Sequence, residues 1–137
     1  MAVFRLAARV RRVDDAPVPL RVLIVDDHDG FRASARSVLE GAGFDVVGEA
    51  TDGVSGLRAA KEFDPDVVLL DVQLPDLDGF EVAERLARAG CAVTVILTSS
   101  RDGAEFGQLI AESPVRGFIP KAELSSARLA ALLEQHA

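Results

Sequence analysis

Short apolar runs alternate along this chain with stretches whose apolar positions recur every three or four residues. The runs are Arg21-Val22-Leu23-Ile24-Val25, Phe44 to Ala50, Val67-Val68-Leu69-Leu70, Ala92 to Leu97 and Val115 to Ile119. Each is strand-sized, and a continuous apolar run suits a strand covered on both faces. Phe44 to Ala50 is less apolar than the others, as an edge strand is. Between the first two runs, Phe31, Ala35, Val38 and Leu39 share one helical face, closed by Gly41 and Gly43. Asp52-Gly53 opens a second helix to about Glu62, carrying Val54 and Leu57. Asp78-Gly79 opens a third over 79–89, with Asp78 as its cap and Phe80, Ala83, Leu86 and Ala87 inward. A fourth spans 102–112, with Phe106, Leu109 and Ile110 on one side. The last covers about 123–135, with Leu124, Leu129, Leu132 and Leu133 inward.

This is (βα) repeated five times, an α/β chain with a parallel five-stranded sheet and helices on both faces. Right-handed crossovers and five strands make the flavodoxin-like doubly wound three-layer sandwich, order 2-1-3-4-5, the expected topology. Its switch point lies between strands 1 and 3. Strand 1 ends in Asp26-Asp27, strand 3 in Asp71, strand 4 in Thr98-Ser99-Ser100 and strand 5 in Pro120-Lys121. All of these fall on the carboxyl edge, where open α/β sheets bind ligands.

Composition narrows what that edge can do. The 137 residues fit one domain, and 49% hydrophobic with 27% charged residues is globular. A net charge of −7 argues against direct nucleic-acid binding. The one basic cluster, Arg5 to Arg12, lies in residues 1–20. These residues read as a flexible extension ending in Pro17-Val18-Pro19, with a short docking helix as the alternative. Cys91 is alone, so no disulfide framework or cysteine metal site is expected. No run approaches the roughly 18 apolar residues of a membrane span.

Three carboxylates brought together repel unless a proton is retained or a cation compensates. Oxygen-only ligands favour a hard divalent ion such as Mg²⁺. Lys121 offers a point charge suited to phosphate, and Thr98 a hydroxyl donor. An aspartate can itself be a nucleophile that forms an aspartyl phosphate. Each residue alone has a plainer reading: Asp26-Asp27 as a solvated loop or cap, Thr98 as a strand-end cap, Lys121 as a surface lysine. His28, in the loop after the acidic pair, reads as a bystander. The joint occurrence at successive strand ends outweighs the plainer readings.

In Val22-Leu23-Ile24-Val25-Asp26-Asp27, Leu69-Leu70-Asp71-Val72-Gln73-Leu74-Pro75-Asp76-Leu77-Asp78-Gly79, Ile96-Leu97-Thr98-Ser99 and Gly117-Phe118-Ile119-Pro120-Lys121, the chain resembles the receiver domain of two-component response regulators. The resemblance covers residues 21–137, nearest to receivers that precede helix-turn-helix output domains. It implies that Asp71 is the phosphoacceptor, and that Asp26 and Asp27 position Mg²⁺ with Asp27 and Asp71 as direct ligands. It implies a metal contact from the Gln73 backbone carbonyl, and phosphoryl contacts from amides near Val72, Gln73 and Ser99. Thr98 matches the switch hydroxyl, with Ser99 a rival should the register slip by one. Lys121 matches the phosphate-contacting lysine, and Phe118 the switch aromatic.

The implied partner is a sensor histidine kinase in the cytoplasm. An effector domain, a partner protein, or a homodimer through helices 4 and 5 are further expectations. The chain departs from the commonest pattern at Lys121, which is preceded by Pro120 and followed by Ala122, where many receivers have Lys-Pro with a cis bond. A receiver-like binding module that is never phosphorylated is the alternative. Gln73 stands where an aspartyl-phosphate hydrolase has its acid/base carboxylate, which argues against an enzyme. A flavin carrier is disfavoured by the acidic first loop and the absence of Trp and Tyr.

Overall fold

The computed structural model describes residues 8–10, 17–101 and 103–134. Its main sheet has five parallel strands: β1 (Arg21–Val25), β2 (Asp45–Ala50), β3 (Val67–Asp71), β4 (Thr94–Ser99) and β5 (Gly117–Pro120). They lie side by side as β2-β1-β3-β4-β5, the expected 2-1-3-4-5 order. The helices are α1 (Asp29–Gly41), α2 (Gly53–Phe63), α3 (Gly79–Arg88), α4 (Gly107–Glu112) and α5 (Ser126–Glu134).

Strand alternation divides the core in two. Val22, Ile24, Val67, Leu69, Ile96 and Ile119 face Ala35 and Leu39 of α1 and Leu129 of α5. Leu23, Val25, Val68, Leu70, Val95 and Leu97 face α2 and α3, together with Phe106 and Phe118. Successive strand residues point to opposite faces, so a strand inside a three-layer stack must be apolar throughout. That is why all of Val67–Asp71 is buried.

The helix faces differ in places from the sequence reading. Val54 is 48% exposed, because α2 turns Gly53, Gly56, Ala59 and Ala60 to the sheet instead. Small residues let α2 approach closely: a Cβ on Gly56 would lie 2.9 Å from Val25 Cγ1. In α3 the buried set is Val82, Ala83 and Leu86, while Ala87 is exposed. The fourth helical segment is a 3₁₀ turn at Gly103–Phe106 followed by the short α4, and Leu109 is 51% exposed. Glycines at 103 and 107 weaken this stretch as a helix.

Ala8–Val10 pairs antiparallel with Pro17–Pro19. The expected flexible extension over 1–20 falls partly on these paired segments and on Leu20, which packs against the core and accepts the Asp45 amide at 2.9 Å, and otherwise outside the described residues. Asp78 caps α3 as expected, its side chain accepting from the Glu81 amide at 2.8 Å. The described peptide bonds are all trans, Lys121–Ala122 included, and a short 3₁₀ turn, Lys121–Glu123, follows β5 directly.

Candidate functional site

Among the described residues, four polar or charged side chains are buried: Asp26, Asp71, Thr98 and Ser99. All four sit at or just past the carboxyl ends of β1, β3 and β4. Asp71 and Thr98 occupy matching positions in the β3–β4 ladder. Buried polar groups ordinarily find partners, so a cluster that does not is informative.

Thr98 Oγ1 has no hydrogen-bond partner and is buried. Ser99 differs: its Oγ accepts the Arg101 amide at 3.1 Å, which ties it into the following turn. Asp26 Oδ1 accepts the His28 amide at 2.8 Å. Asp26 Oδ2 lies 2.7 Å from Lys121 Nζ, as an ion pair without the direction of a hydrogen bond. Lys121 Nζ also donates to Asp71 Oδ2 at 3.3 Å and sits 4.7 Å above the Phe31 ring. Asp71 Oδ1 accepts the Gln73 amide at 3.1 Å. Asp27 stands at the mouth, its side chain 36% exposed.

Burial pushes the Asp71 carboxyl above its ordinary value; the Gln73 amide pulls it down, the neighbouring Asp26 charge pushes it up again, and Lys121 lowers it. Asp26, Asp27 and Asp71 stand together with Lys121 as the one lysine paired to them, an arrangement that suits a cation. The donors are chiefly carboxylate oxygens, and Asp26 Oδ2 is a buried oxygen with unused capacity. The residues present thus fit a hard divalent ion.

The backbone around Asp71 depends on one glycine. Gly79 donates to the Val72 carbonyl at 2.7 Å, and a Cβ on it would lie 2.6 Å from the Asp71 carbonyl oxygen. Asp76, in the loop between, accepts the amides of Gly53 at 2.7 Å and Val54 at 2.9 Å, caps α2, and is held below the usual carboxylate range by those bonds. A bridge between Gln73 and Asp78 closes the same loop.

Phe118 is partly buried, with its ring centroid 6.0 Å from that of Phe106, which is 6.1 Å from Phe80. It lies on the α2–α3 side of the sheet, off the carboxylate cluster.

Sequence reasoning set His28 aside, yet its Nδ1 lies 3.0 Å from Asp26 Oδ1 and 3.1 Å from Asp27 Oδ1. It also passed over Arg32, whose Nη1 donates to the Asp26 carbonyl at 2.7 Å while its Nε donates to Glu49 at 3.0 Å. The available signal was position: Phe31 and Arg32 fall in the first turn of α1, the turn that faces the loop before it.

A doubly wound sheet whose carboxyl edge gathers three aspartates and a lysine defines a phosphoacceptor signalling module. Residues 22–134 match the family described as response regulator receiver domain, and the chain belongs to that family. It is 38% identical over 103 residues to the virulence-factor transcription regulator BvgA of Bordetella pertussis, covering 75% of this chain and 49% of BvgA. It is 33% identical over 123 residues to the transcriptional regulatory protein PdtaR of Mycobacterium tuberculosis, covering 83% of this chain and 60% of PdtaR. Among solved structures, the receiver domain of the response regulator NarL from Mycobacterium tuberculosis superposes with a TM-score of 0.73. The two are 32% identical, over 82% of this chain and 95% of that one. The chain thus spans about half the length of the curated relatives it matches.

Proposed function

We propose that this receiver is a phosphorylation-controlled switch whose phosphoacceptor is Asp71. The observation that carries the reading is the set of four buried polar residues at the strand ends, with Thr98 Oγ1 unpartnered among them. A buried hydroxyl without a partner is costly unless some state of the protein satisfies it.

Asp71 attacks the phosphorus of a phosphohistidine presented by a sensor histidine kinase. The P–O bond forms, the P–N bond breaks, and the electron pair returns to the donor imidazole. A divalent ion such as Mg²⁺, held by Asp26, Asp27, Asp71 and the Gln73 carbonyl, neutralises charge on the phosphoryl oxygens when bound. Lys121 Nζ, already 3.3 Å from Asp71 Oδ2, is within reach of an oxygen attached there. The Gln73 amide, now on Asp71 Oδ1, and the amide of Ser99 are the backbone donors nearest the group.

Thr98 gains a hydrogen bond only in the phosphorylated state. That difference between states is what shifts a conformational population. Movement of Thr98 opens space that Phe118 can enter, and the surface of α4, β5 and α5 changes with it. A partner protein, an effector domain or a second copy reads that surface. Exposed Leu109 on α4 supplies an apolar contact for pairing through α4 and α5. The setting is cytoplasmic, and no helix among the described residues is long and apolar enough to cross a membrane.

Incubation with Mg²⁺ and acetyl phosphate followed by intact mass tests the reading. The wild type gains one phosphate and Asp71→Asn gains none. An unmodified wild type that also fails to bind beryllofluoride supports a non-phosphorylated binding module in its place.

A further inference from the structure

We propose that His28 Nδ1 is a ligand of the divalent ion at the acidic pocket, moving its preference from Mg²⁺ toward transition ions such as Mn²⁺. The inference rests on the reading of Asp26, Asp27 and Asp71 as a cation site.

Four residues offer donor atoms that all lie within 4.8 Å of one another: Asp26, Asp27, His28 and Asp71. Two ligands at right angles around an ion, each about 2.1 Å from it, stand about 3.0 Å apart. His28 Nδ1 is 3.0 Å from Asp26 Oδ1, 3.1 Å from Asp27 Oδ1 and 3.9 Å from Asp71 Oδ2. The spacings suit adjacent positions for the first two oxygens and a wider angle for the third.

The hydrogen bonding of the ring points the same way. Nδ1 faces carboxylate oxygens, which only accept, and Lys121 Nζ at 3.3 Å, which only donates. One ring nitrogen cannot answer both, since it carries either a proton or a lone pair. With its lone pair toward an ion, Nδ1 joins the carboxylates as a fellow ligand, and Lys121 Nζ keeps its pairing with Asp26 Oδ2 at 2.7 Å and Asp71 Oδ2 at 3.3 Å. Asp26 Oδ2, buried and paired with Lys121 Nζ at 2.7 Å without a directed hydrogen bond, is a further oxygen facing the same pocket.

His28 is anchored for the task, its amide held by Asp26 Oδ1 at 2.8 Å. Its side chain is 64% exposed, so the ring can adjust without repacking the core. Carboxylate and water suit Mg²⁺, whereas imidazole suits transition ions. An added nitrogen therefore biases the site by ligand chemistry alone.

The test uses the full chain loaded with Mn²⁺, read by pulsed electron paramagnetic resonance and paired with calorimetric titration of Mg²⁺ and Mn²⁺. The expected result is a ¹⁴N coupling from a bound imidazole that survives His136→Ala and disappears in His28→Ala. His28→Ala should weaken Mn²⁺ by roughly 10-fold or more while Mg²⁺ affinity changes by less than about 3-fold. Retained Mg²⁺ binding also shows that the variant is folded. Mn²⁺ binding with no ¹⁴N coupling overturns the role of His28 and leaves the cation site standing. Binding of neither ion overturns both.

Discussion

Burial at Asp71 opposes ionisation more than Lys121 favours it. A carboxyl whose folded pKa lies above its unfolded value costs stability once pH exceeds both, and the cost fades as pH falls below both. Asp71→Asn should therefore raise the Tm of the ion-free protein at neutral pH. The Asn side chain still accepts the Gln73 amide, and Lys121 keeps Asp26. Calorimetry in chelator should show the gain, and added Mg²⁺ should shrink it by stabilising only the wild type. A Tm that falls on substitution would mean that the Lys121 pair outweighs burial. Asp71 and Lys121 were legible because a polar residue ending an apolar strand has one place to go. His28 was not, because sequence shows that it follows the acidic pair and is silent on which way its ring turns.

The elements around the pocket are set by close approach and by capping. Gly79 brings α3 against the Asp71 backbone, so Gly79→Ala should cost about 1–3 kcal/mol in urea unfolding, since the atom it meets is main chain. On the opposite side, Glu49 of β2 binds Arg36 at 2.7 Å and Arg32 at 3.0 Å, tying β2 to α1. These bonds, Arg36 first, hold Glu49 below its ordinary value. Its contribution is present above the unfolded pKa of about 4.3 and is lost as pH falls through the lower folded value. Glu49→Gln should destabilise by about 0.5–1 kcal/mol near pH 7, with the difference shrinking as pH falls below about 4.3 and gone below the folded value. Thermal melts across that range decide it.

Asp76→Asn should speed amide hydrogen exchange at Gly53 and Val54 by weakening the cap they share. Strand positions were readable from the apolar runs to within two residues, β4 running Thr94–Ser99 where Ala92 to Leu97 was expected, and the order followed from the topology rules. The inward face of α2 was not, because Gly56, Ala59 and Ala60 win their places by size, which a hydrophobic pattern does not register, whereas in α3 Ala83, Leu86 and Phe80 pack inward as read. The fourth helix failed as a pattern for the opposite reason: its glycines and short length favour a 3₁₀ turn over a regular helix.

At the scale of the whole molecule, the sheet is a fixed platform and its two faces have different jobs. α1 and α5 close one side around Val22, Ile24 and Leu129. The other side carries Phe80, Phe106 and Phe118, with successive ring centroids 6.1 and 6.0 Å apart. Beryllofluoride with Mg²⁺ should thus change hydrogen exchange in Gly103–Glu112 and Gly117–Pro120 and leave α1 largely unaltered, with Thr98→Ala blunting the response. The chain spans about half the length of the curated relatives it matches.

On the proposed reading, Asp71 itself carries the phosphoryl group. Borohydride reduces an aspartyl phosphate to homoserine, which marks the residue permanently. After phosphorylation with Mg²⁺ and a phosphodonor, reduction and peptide mass spectrometry should place homoserine at position 71. Homoserine at position 26 or 27, or at none, would contradict the account.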